Sequence, residues 1–265
     1  QNHRFIAFPG YEWSGNTGCR MILDVTAEFD SDAELFDSDP NLGETGSNST
    51  RSAMMGDILQ CSDKAFKLHI NAVGSAPIER IDIRNGLKTL ETWHPYSETD
   101  LGHRICIAWE GSEYRGRGRE TIWDGKATLE GNSFNDVEAI NRYNIDKRFE
   151  LTKPGQLEWQ ALTTGGHGGF YATLRSRDRG VLSIDTELVK ADISVGDIGY
   201  EDTVFEAGGL GRRIRIFRLP DTNPHRQVEL ERRISLLDGR DNAIYIRIVQ
   251  QDGHVIWSSP IYLFR

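Results

Sequence analysis

Three arginines at alternate positions form the most distinctive chemical pattern in the sequence. Arg115, Arg117 and Arg119 are separated only by single glycines. In an extended backbone, alternate side chains project to one face, so this spacing predicts a row of three guanidinium groups. Guanidinium groups bind carboxylates and phosphates through paired N–H donors, which makes the row a candidate groove for an anion. Tyr114 and Trp123, which flank the row, are expected to be exposed aromatic contacts for the same ligand.

The row also has an interpretation that needs no ligand. Four acidic residues lie within a few positions of it, namely Glu110, Glu113, Glu120 and Asp124. Carboxylates opposite arginines on neighbouring strands form ion pairs, so these acids could neutralise the row internally. The sequence leaves both interpretations open.

A second candidate site residue is His167, which lies between two glycine pairs in the loop TTGGHGGF. Such a loop could carry a mobile general base, although a single histidine without a positioned partner is more often a packing residue. Another glycine-rich loop, EAGGLGRR, spans Glu206 to Arg213. Neither loop has the lysine and the following helix of a phosphate-binding loop. The seven histidines show no HxH or HExxH spacing, and no GxSxG motif is present, so no local metal box or activated nucleophile is predicted.

The bulk composition limits the classes of partner. The 265 residues carry a net charge of −9 with a pI near 5.3, which works against general binding to nucleic acid or to an anionic membrane. Three cysteines without CxxC spacing argue against a disulfide framework and indicate a reducing compartment, so a soluble cytoplasmic protein is expected. An anionic small molecule or a glycan is the expected ligand, no cofactor is expected for this chain, and a homo-oligomer is compatible with these features.

Period-two alternation of apolar residues predicts an all-β protein. It begins near Phe66, and turn signals such as Asn85-Gly86 then recur about every 8 to 12 residues, which is typical of a sandwich or barrel. The chain ends in a long alternating hairpin around Gln251-Asp252-Gly253. Further strands are predicted at Leu157 to Leu162, Gly169 to Leu174, Val181 to Thr186, Thr203 to Ala207 and Arg213 to Leu219.

We therefore expect an immunoglobulin-like or similar sandwich from residues 66–125 with 231–265, and a second, jelly-roll-like sandwich inserted as residues 126–230. The Asp124-Gly125 pair is expected to close a tight hairpin between them. Residues 19–65 are expected to form a first strand and an acidic linker, because eight acids occur from Asp24 to Glu44 without a lysine or arginine. Asp30, Asp32 and Glu34 have calcium-like spacing, but the glycine of an EF-hand loop is absent, which favours a solvated loop.

Three motifs carry a resemblance to a known family. FPGYEWSGNTG (Phe8 to Gly18), YRGRGRETIWDG (Tyr114 to Gly125) and VIWSSPIYLF (Val255 to Phe264) resemble the bacterial family called domain of unknown function 3604. That family combines a metallohydrolase-like region of the polymerase and histidinol phosphatase type with a β-rich carboxy-terminal part. The resemblance implies that residues 1–18 are a remnant of the metallohydrolase region and that the rest of the chain is the β-rich part.

The resemblance also implies a divalent metal, zinc, manganese or iron, for which Glu12 matches a ligand position. The other metal ligands of such regions have no match here, as though the catalytic middle were deleted. We therefore expect a non-catalytic accessory module that shapes a substrate groove or mediates assembly. The alternatives are a metal-dependent phosphoesterase or related hydrolase that uses Glu12, and a free-standing module that binds a glycan or an anion.

Overall fold

The computed structural model describes residues 21–116 and 119–264, and the chain is all-β. The strands of the first half are β1 (Ile22–Phe36), β2 (Ser47–Met54), β3 (Ile58–Gln60), β4 (Ala65–Val73), β5 (Ile78–Asn85), β6 (Lys88–Trp93), β7 (Arg104–Ser112), β8 (Thr121–Ile122), β9 (Gly125–Glu130), β10 (Phe134–Ile140) and β11 (Phe149–Lys153). The strands of the second half are β12 (Gln156–Trp159), β13 (Leu162–Thr163), β14 (His167–Leu174), β15 (Val181–Thr186), β16 (Lys190–Ser194), β17 (Thr203–Glu206), β18 (Leu210–Leu219), β19 (Gln227–Ser235), β20 (Asn242–Gln250), β21 (Val255–Trp257) and β22 (Ile261–Phe264). Short 3-10 helices lie at Pro40–Leu42, Glu98–Asp100 and Val195–Asp197.

The period-two patterns of the sequence form strands in the structure. β15 has the predicted bounds Val181–Thr186, and β4 extends the predicted strand from Phe66 by one residue at its start. Asn85 and Gly86 begin the turn between β5 and β6, and the terminal hairpin pairs β20 with β21 and β22. The all-β prediction is therefore confirmed.

The first of two compact units contains the described residues up to Pro95 and those from Pro224 onward. Its strands form one sheet in the order β19-β4-β1-β3-β22-β20-β5-β6, with β2 added to β1 and β21 added to β20. The start of β1 pairs with β4 and its end pairs with β3. Side chains from both halves of this path, such as Val25 and Ile246, join one core cluster. The sheet therefore folds over its own apolar face.

The acidic segment expected to be a linker is largely strand. β1 continues to Phe36, and its inward side chains Val25, Ala27 and Phe29 are buried between exposed acids. Asp30 forms an ion pair with Arg233, and Asp32 forms one with Arg51. The run of acids thus includes a period-two pattern of buried apolar residues. The compensating charges come from basic residues that are distant in sequence.

The second unit, Tyr96–Asn223, contains two five-stranded sheets. Their orders are β10-β14-β7-β18-β17 and β11-β12-β9-β15-β16. Side chains of both sheets join one core cluster, in which the Trp109 ring stacks on Trp159 with centroids 5.2 Å apart. The two sheets therefore share a core. The immunoglobulin-like and jelly-roll-like topologies stay predictions.

The boundaries of the two units differ from those expected. Contrary to the sequence-based expectation, β7 belongs to the second unit, because it pairs with β14 on one side and β18 on the other. The chain returns to the first unit at Pro224, and all of β19 pairs with β4.

The Asp124-Gly125 pair does not close a hairpin. β8 pairs with β13, whereas β9 pairs with β12 and β15. The Asp124 carboxylate instead accepts a hydrogen bond of 2.9 Å from the Ala161 amide. The expected hairpin is therefore wrong, because the two segments find better partners elsewhere in the unit.

Asp185 gives the second unit a predicted sensitivity to acid. Its carboxylate lies 3.3 Å from the Lys126 ammonium group and 3.4 Å from that of Lys190. The hydrogen bond from Lys126, together with the charge of Lys190, lowers the pKa of Asp185 below its usual value. The associated stability is present above the unfolded-state pKa and is lost as the pH falls through the lower folded-state pKa. We expect Asp185→Asn to flatten slightly the dependence of the unfolding midpoint on pH in this acid range. Parallel curves for the two proteins would contradict this assignment.

Candidate functional site

Three glycine-rich segments meet at the carboxy-terminal end of β7. On one side of β7, Glu110 lies opposite His167, the first residue of β14. On the other side, Glu110 lies opposite Arg213 and Ser112 lies opposite Leu210, both in β18. We call this region the arginine–glycine corner and define it as residues 111–116, 119–120, 163–167 and 206–213. Only the tertiary structure brings these segments together, because they are distant in sequence.

The arginine segment contacts the first glycine loop directly. Thr121 pairs with Thr163 in the small sheet of β8 and β13, which holds the two segments side by side. A Cβ atom added to Gly165 would lie 3.5 Å from Nε of Arg119, so this guanidinium group packs along the glycine backbone. The side chain of Arg119 therefore lies against Gly165.

The backbone at Gly116 does not have the extended conformation that the predicted row of arginines needs. Gly116 adopts a φ of +104°, which interrupts an extended backbone directly after Arg115. Arg117 lies outside the described residues. In the described part of the corner, Arg115 and Arg119 are both exposed.

Two of the four acids near this segment pair with arginines of β18. Glu110 contacts Arg213 at 2.6 Å and Arg215 at 3.4 Å, and Glu113 pairs with Arg212. Asp124 binds a backbone amide instead of an arginine. Within residues 21–116 and 119–264, no carboxylate lies within 4.0 Å of Arg115 or Arg119. Glu110 and Glu113 therefore do not neutralise Arg115 or Arg119, because β18 competes for their carboxylates.

The arginines of β18 are functional candidates that the sequence patterns above did not single out. Arg213 and Arg215 project to the same side of β18, and the side chain of Arg215 is 5% exposed between Glu110 and Asp202. The contact from Arg215 to Asp202 is 3.0 Å. Their alternate spacing in GRRIRIF indicates that they share a face, because side chains two positions apart on a strand project to the same side.

The two aromatic residues expected at the site have different positions. Tyr114 is 52% exposed beside Arg115. Trp123 is 0% exposed, and its indole N–H donates to Oγ1 of Thr163 at 2.9 Å. The expected exposed contact at Trp123 is therefore wrong, because this ring belongs to the core shared by the two sheets.

The structure places His167 at the start of a strand. His167 begins β14, and its carbonyl accepts a hydrogen bond of 2.9 Å from the Asn141 side-chain amide. It is thus part of a strand, not of a mobile loop. Glu12, the metal ligand implied by the family resemblance, lies outside the described residues.

The part of the chain that the structure describes contains neither a metal cluster nor a membrane-spanning helix. Residues 21–116 and 119–264 contain no group of three or more His, Cys, Asp or Glu side chains that could hold a metal ion. Among the described helices, none is long and apolar enough to cross a membrane.

Comparison with known proteins adds no relative. No protein-family model matches the chain, and neither the curated proteins nor the solved structures include a match.

Proposed function

We propose that this chain is a non-catalytic binding module whose arginine–glycine corner holds an anionic group of a small molecule or glycan. The observation that supports this proposal is the pair Arg115 and Arg119, which are exposed while Glu110 and Glu113 are paired with arginines of β18. Two cations close in sequence without carboxylate partners attract an anion more strongly than an internal ion-pair network does.

The surroundings of the two arginines favour a ligand with a charged oxygen group. A guanidinium group offers planar, paired N–H donors that match a carboxylate, phosphate or sulfate. A further donor, Nε of Arg212, is buried without a hydrogen-bond partner among the described residues. The corner therefore carries more donors than its own carboxylates satisfy. Tyr114 adds an exposed ring beside Arg115 that can cover the ligand.

The net charge of the protein limits the kind of anion. A chain with a net charge of −9 repels polyanions at long range, so attraction at the corner is local. At an ionic strength of about 0.15 M the screening length is about 8 Å, and only groups close to the arginines feel their charge. A small anion or a short acidic saccharide fits these conditions better than a nucleic acid.

The proposal is tested by titrating the purified chain with phosphate, sulfate, citrate and galacturonate in a calorimeter at low and moderate salt. The double variant Arg115→Gln with Arg119→Gln should weaken binding of the best anion about tenfold or more. The control variant Arg175→Gln with Arg179→Gln removes the same charge from two exposed arginines elsewhere in the second unit. Equal weakening in both double variants, or no binding of any of the four anions, would rule out a specific site at the corner.

We further propose, from the family resemblance, that the module serves a metallohydrolase-like protein as an accessory part. On this proposal the purified chain binds no stoichiometric zinc, manganese or iron and hydrolyses no phosphoester. Metal analysis by mass spectrometry with a phosphoesterase screen tests it. Stoichiometric metal, with turnover abolished by Glu12→Ala, would instead establish the hydrolase alternative.

A further inference from the structure

The outer face of the terminal hairpin carries a cluster of aromatic and arginine side chains that the proposed anion site does not involve. Along β20, Ile244, Ile246 and Ile248 are buried in the core of the first unit. Tyr245 and Arg247 alternate with them and therefore project from the opposite face. In the neighbouring strands, Tyr245 lies opposite Arg84, and Arg247 lies opposite both Asp82 and Trp257. We call Arg84, Tyr245, Arg247, Trp257 and Tyr262 the Trp257 platform.

The aromatic rings of the platform lie side by side and remain accessible. The Tyr245 and Trp257 rings have centroids 5.9 Å apart and are tilted by 38°. Trp257 is 38% exposed and Tyr262 is 42% exposed. Tyr262 lies opposite Ala243, two residues before Tyr245, so it shares their face. Exposed tryptophan next to tyrosine on one sheet face is more frequent at binding surfaces than on the rest of a protein surface.

Hydrogen bonds to β5 and to the turn that follows it hold Arg84, Tyr245 and Arg247 in position. The Tyr245 hydroxyl donates to the Gly86 carbonyl at 2.8 Å, and Arg247 contacts Asp82 at 2.9 Å. Arg84 donates through Nη2 to the Leu87 carbonyl at 2.9 Å. Because the groups are already ordered, a ligand loses less free energy in fixing their rotamers.

Arg84 provides charge that the described structure does not compensate. Its guanidinium carbon lies 5.8 Å from the Tyr245 ring centroid and 6.0 Å from that of Trp257. Among the described residues, no carboxylate lies within 4.0 Å of Arg84, and its buried Nε has no hydrogen-bond partner. Arg247, by contrast, is neutralised by Asp82. The platform therefore combines open aromatic rings with one uncompensated cation at their edge.

We propose that the Trp257 platform binds an acidic saccharide. A pyranose ring has one face of C–H groups, whose partial positive charge is attracted to the negative face of an aromatic ring. A carboxylate or sulfate on such a ring supplies the anion that Arg84 can bind with its paired donors. A nucleic acid could also stack on these rings, but its regular negative charge is opposed by the net charge of −9. The sugar is favoured because it has few charges and a flat apolar face.

The test uses the full chain with three oligosaccharides of equal length, namely oligogalacturonate, a heparin-derived sulfated fragment and the neutral cello-oligosaccharide. Binding is followed by calorimetry and by quenching of tryptophan fluorescence. At least one acidic saccharide should bind, and Trp257→Ala should weaken its binding about tenfold or more, whereas Trp257→Phe should retain most of it. Arg84→Gln should weaken the acidic ligand about tenfold and bring its affinity close to that of the neutral one.

Two control variants establish whether saccharide binding belongs to the platform. Tyr143→Ala removes a similarly exposed aromatic side chain in the second unit and should leave binding unchanged. The double variant Arg115→Gln with Arg119→Gln should also leave it unchanged, because the platform does not use the arginine–glycine corner. The proposal is overturned if no acidic saccharide binds, if the neutral saccharide binds equally well, or if Trp257→Ala and Tyr143→Ala have the same effect. Loss of binding in the Arg115 and Arg119 double variant alone would assign the saccharide to the corner instead.

Discussion

Replacing Arg218 with methionine is expected to destabilise the second unit by about 3–5 kcal/mol. Arg218 is 2% exposed near the end of β18. Its guanidinium group donates to four backbone carbonyls, those of Ile198, Gly102, Arg177 and Val195, over 2.6 to 3.0 Å. These carbonyls belong to three different loops of the unit. The Arg218 side chain therefore provides hydrogen-bond donors to four backbone carbonyls outside the strands.

The size of the expected loss follows from what the substitution leaves behind. Methionine fills much of the volume but donates no hydrogen bond, so buried carbonyls lose their partner. Burial lowers the pKa of Arg218 below its usual value, but arginine remains protonated at neutral pH and keeps all its donors. Lysine keeps a charge but has three donors on one atom, so Arg218→Lys should recover only part of the stability.

Unfolding in urea, followed by tryptophan fluorescence, measures this effect in the full chain. Trp109, Trp123 and Trp159 lie in the second unit, whereas Trp93 and Trp257 lie in the first, so the unfolding of the second unit is the transition that Arg218→Met shifts. Arg175→Met serves as the matched control, because Arg175 is exposed and only its backbone amide makes a described hydrogen bond. A loss below about 1 kcal/mol for Arg218→Met would mean that water replaces the guanidinium group at these carbonyls.

Gly111→Ala is expected to have the next largest effect, a loss of about 2–4 kcal/mol. Gly111 has a φ of +92°, which a residue with a side chain rarely adopts. A Cβ atom there would lie 2.3 Å from the carbonyl oxygen of Gly211 and 2.5 Å from the amide of Arg212. Because these contacts are backbone atoms, β7 and β18 would have to separate at the arginine–glycine corner.

Gly166→Ala provides the control for Gly111→Ala in the same corner. A Cβ atom at Gly166 meets nothing within 4 Å among the described residues, and its φ lies outside the left-handed region. This variant should change stability by less than about 0.5 kcal/mol. The comparison uses the same urea unfolding experiment, and similar losses in the two glycine variants would contradict the close approach of β7 and β18.

The family resemblance and the accessory role stay predictions, as does the role of Glu12 as a metal ligand. They rest on the motifs of the sequence, and Glu12 lies outside the residues that the structure describes. The proposed anion site is supported by described contacts, because Glu110, Glu113 and Asp124 are bound to groups other than Arg115 and Arg119. The experiments on Arg115, Arg119 and Trp257 therefore decide the function first, and the metal analysis decides the relation to metallohydrolases.

The strands follow from the sequence alone, because alternation of apolar and polar residues is a local pattern with a period of two. Val181 to Thr186 and the turn at Asn85-Gly86 are examples, in which neighbouring residues contain all the information needed. The same local pattern is present in β1, where the acids obscured it. The acidic side chains indicate an exposed segment, but the sequence pattern predicts only the first part of this strand.

The ion pairs, the burial of Trp123 and the boundaries of the two units depend on tertiary structure. Glu110 is five residues from Arg115 in sequence, yet it pairs with Arg213 because β7 and β18 are neighbours. The residues next to Trp123 in sequence do not determine whether its ring is exposed or buried. The ring is buried because two sheets pack around it. Contacts between residues a hundred positions apart leave no periodic signal. For this reason the sequence indicated a basic segment with acids beside it, whereas only the structure showed that Glu110 and Glu113 pair with arginines of β18.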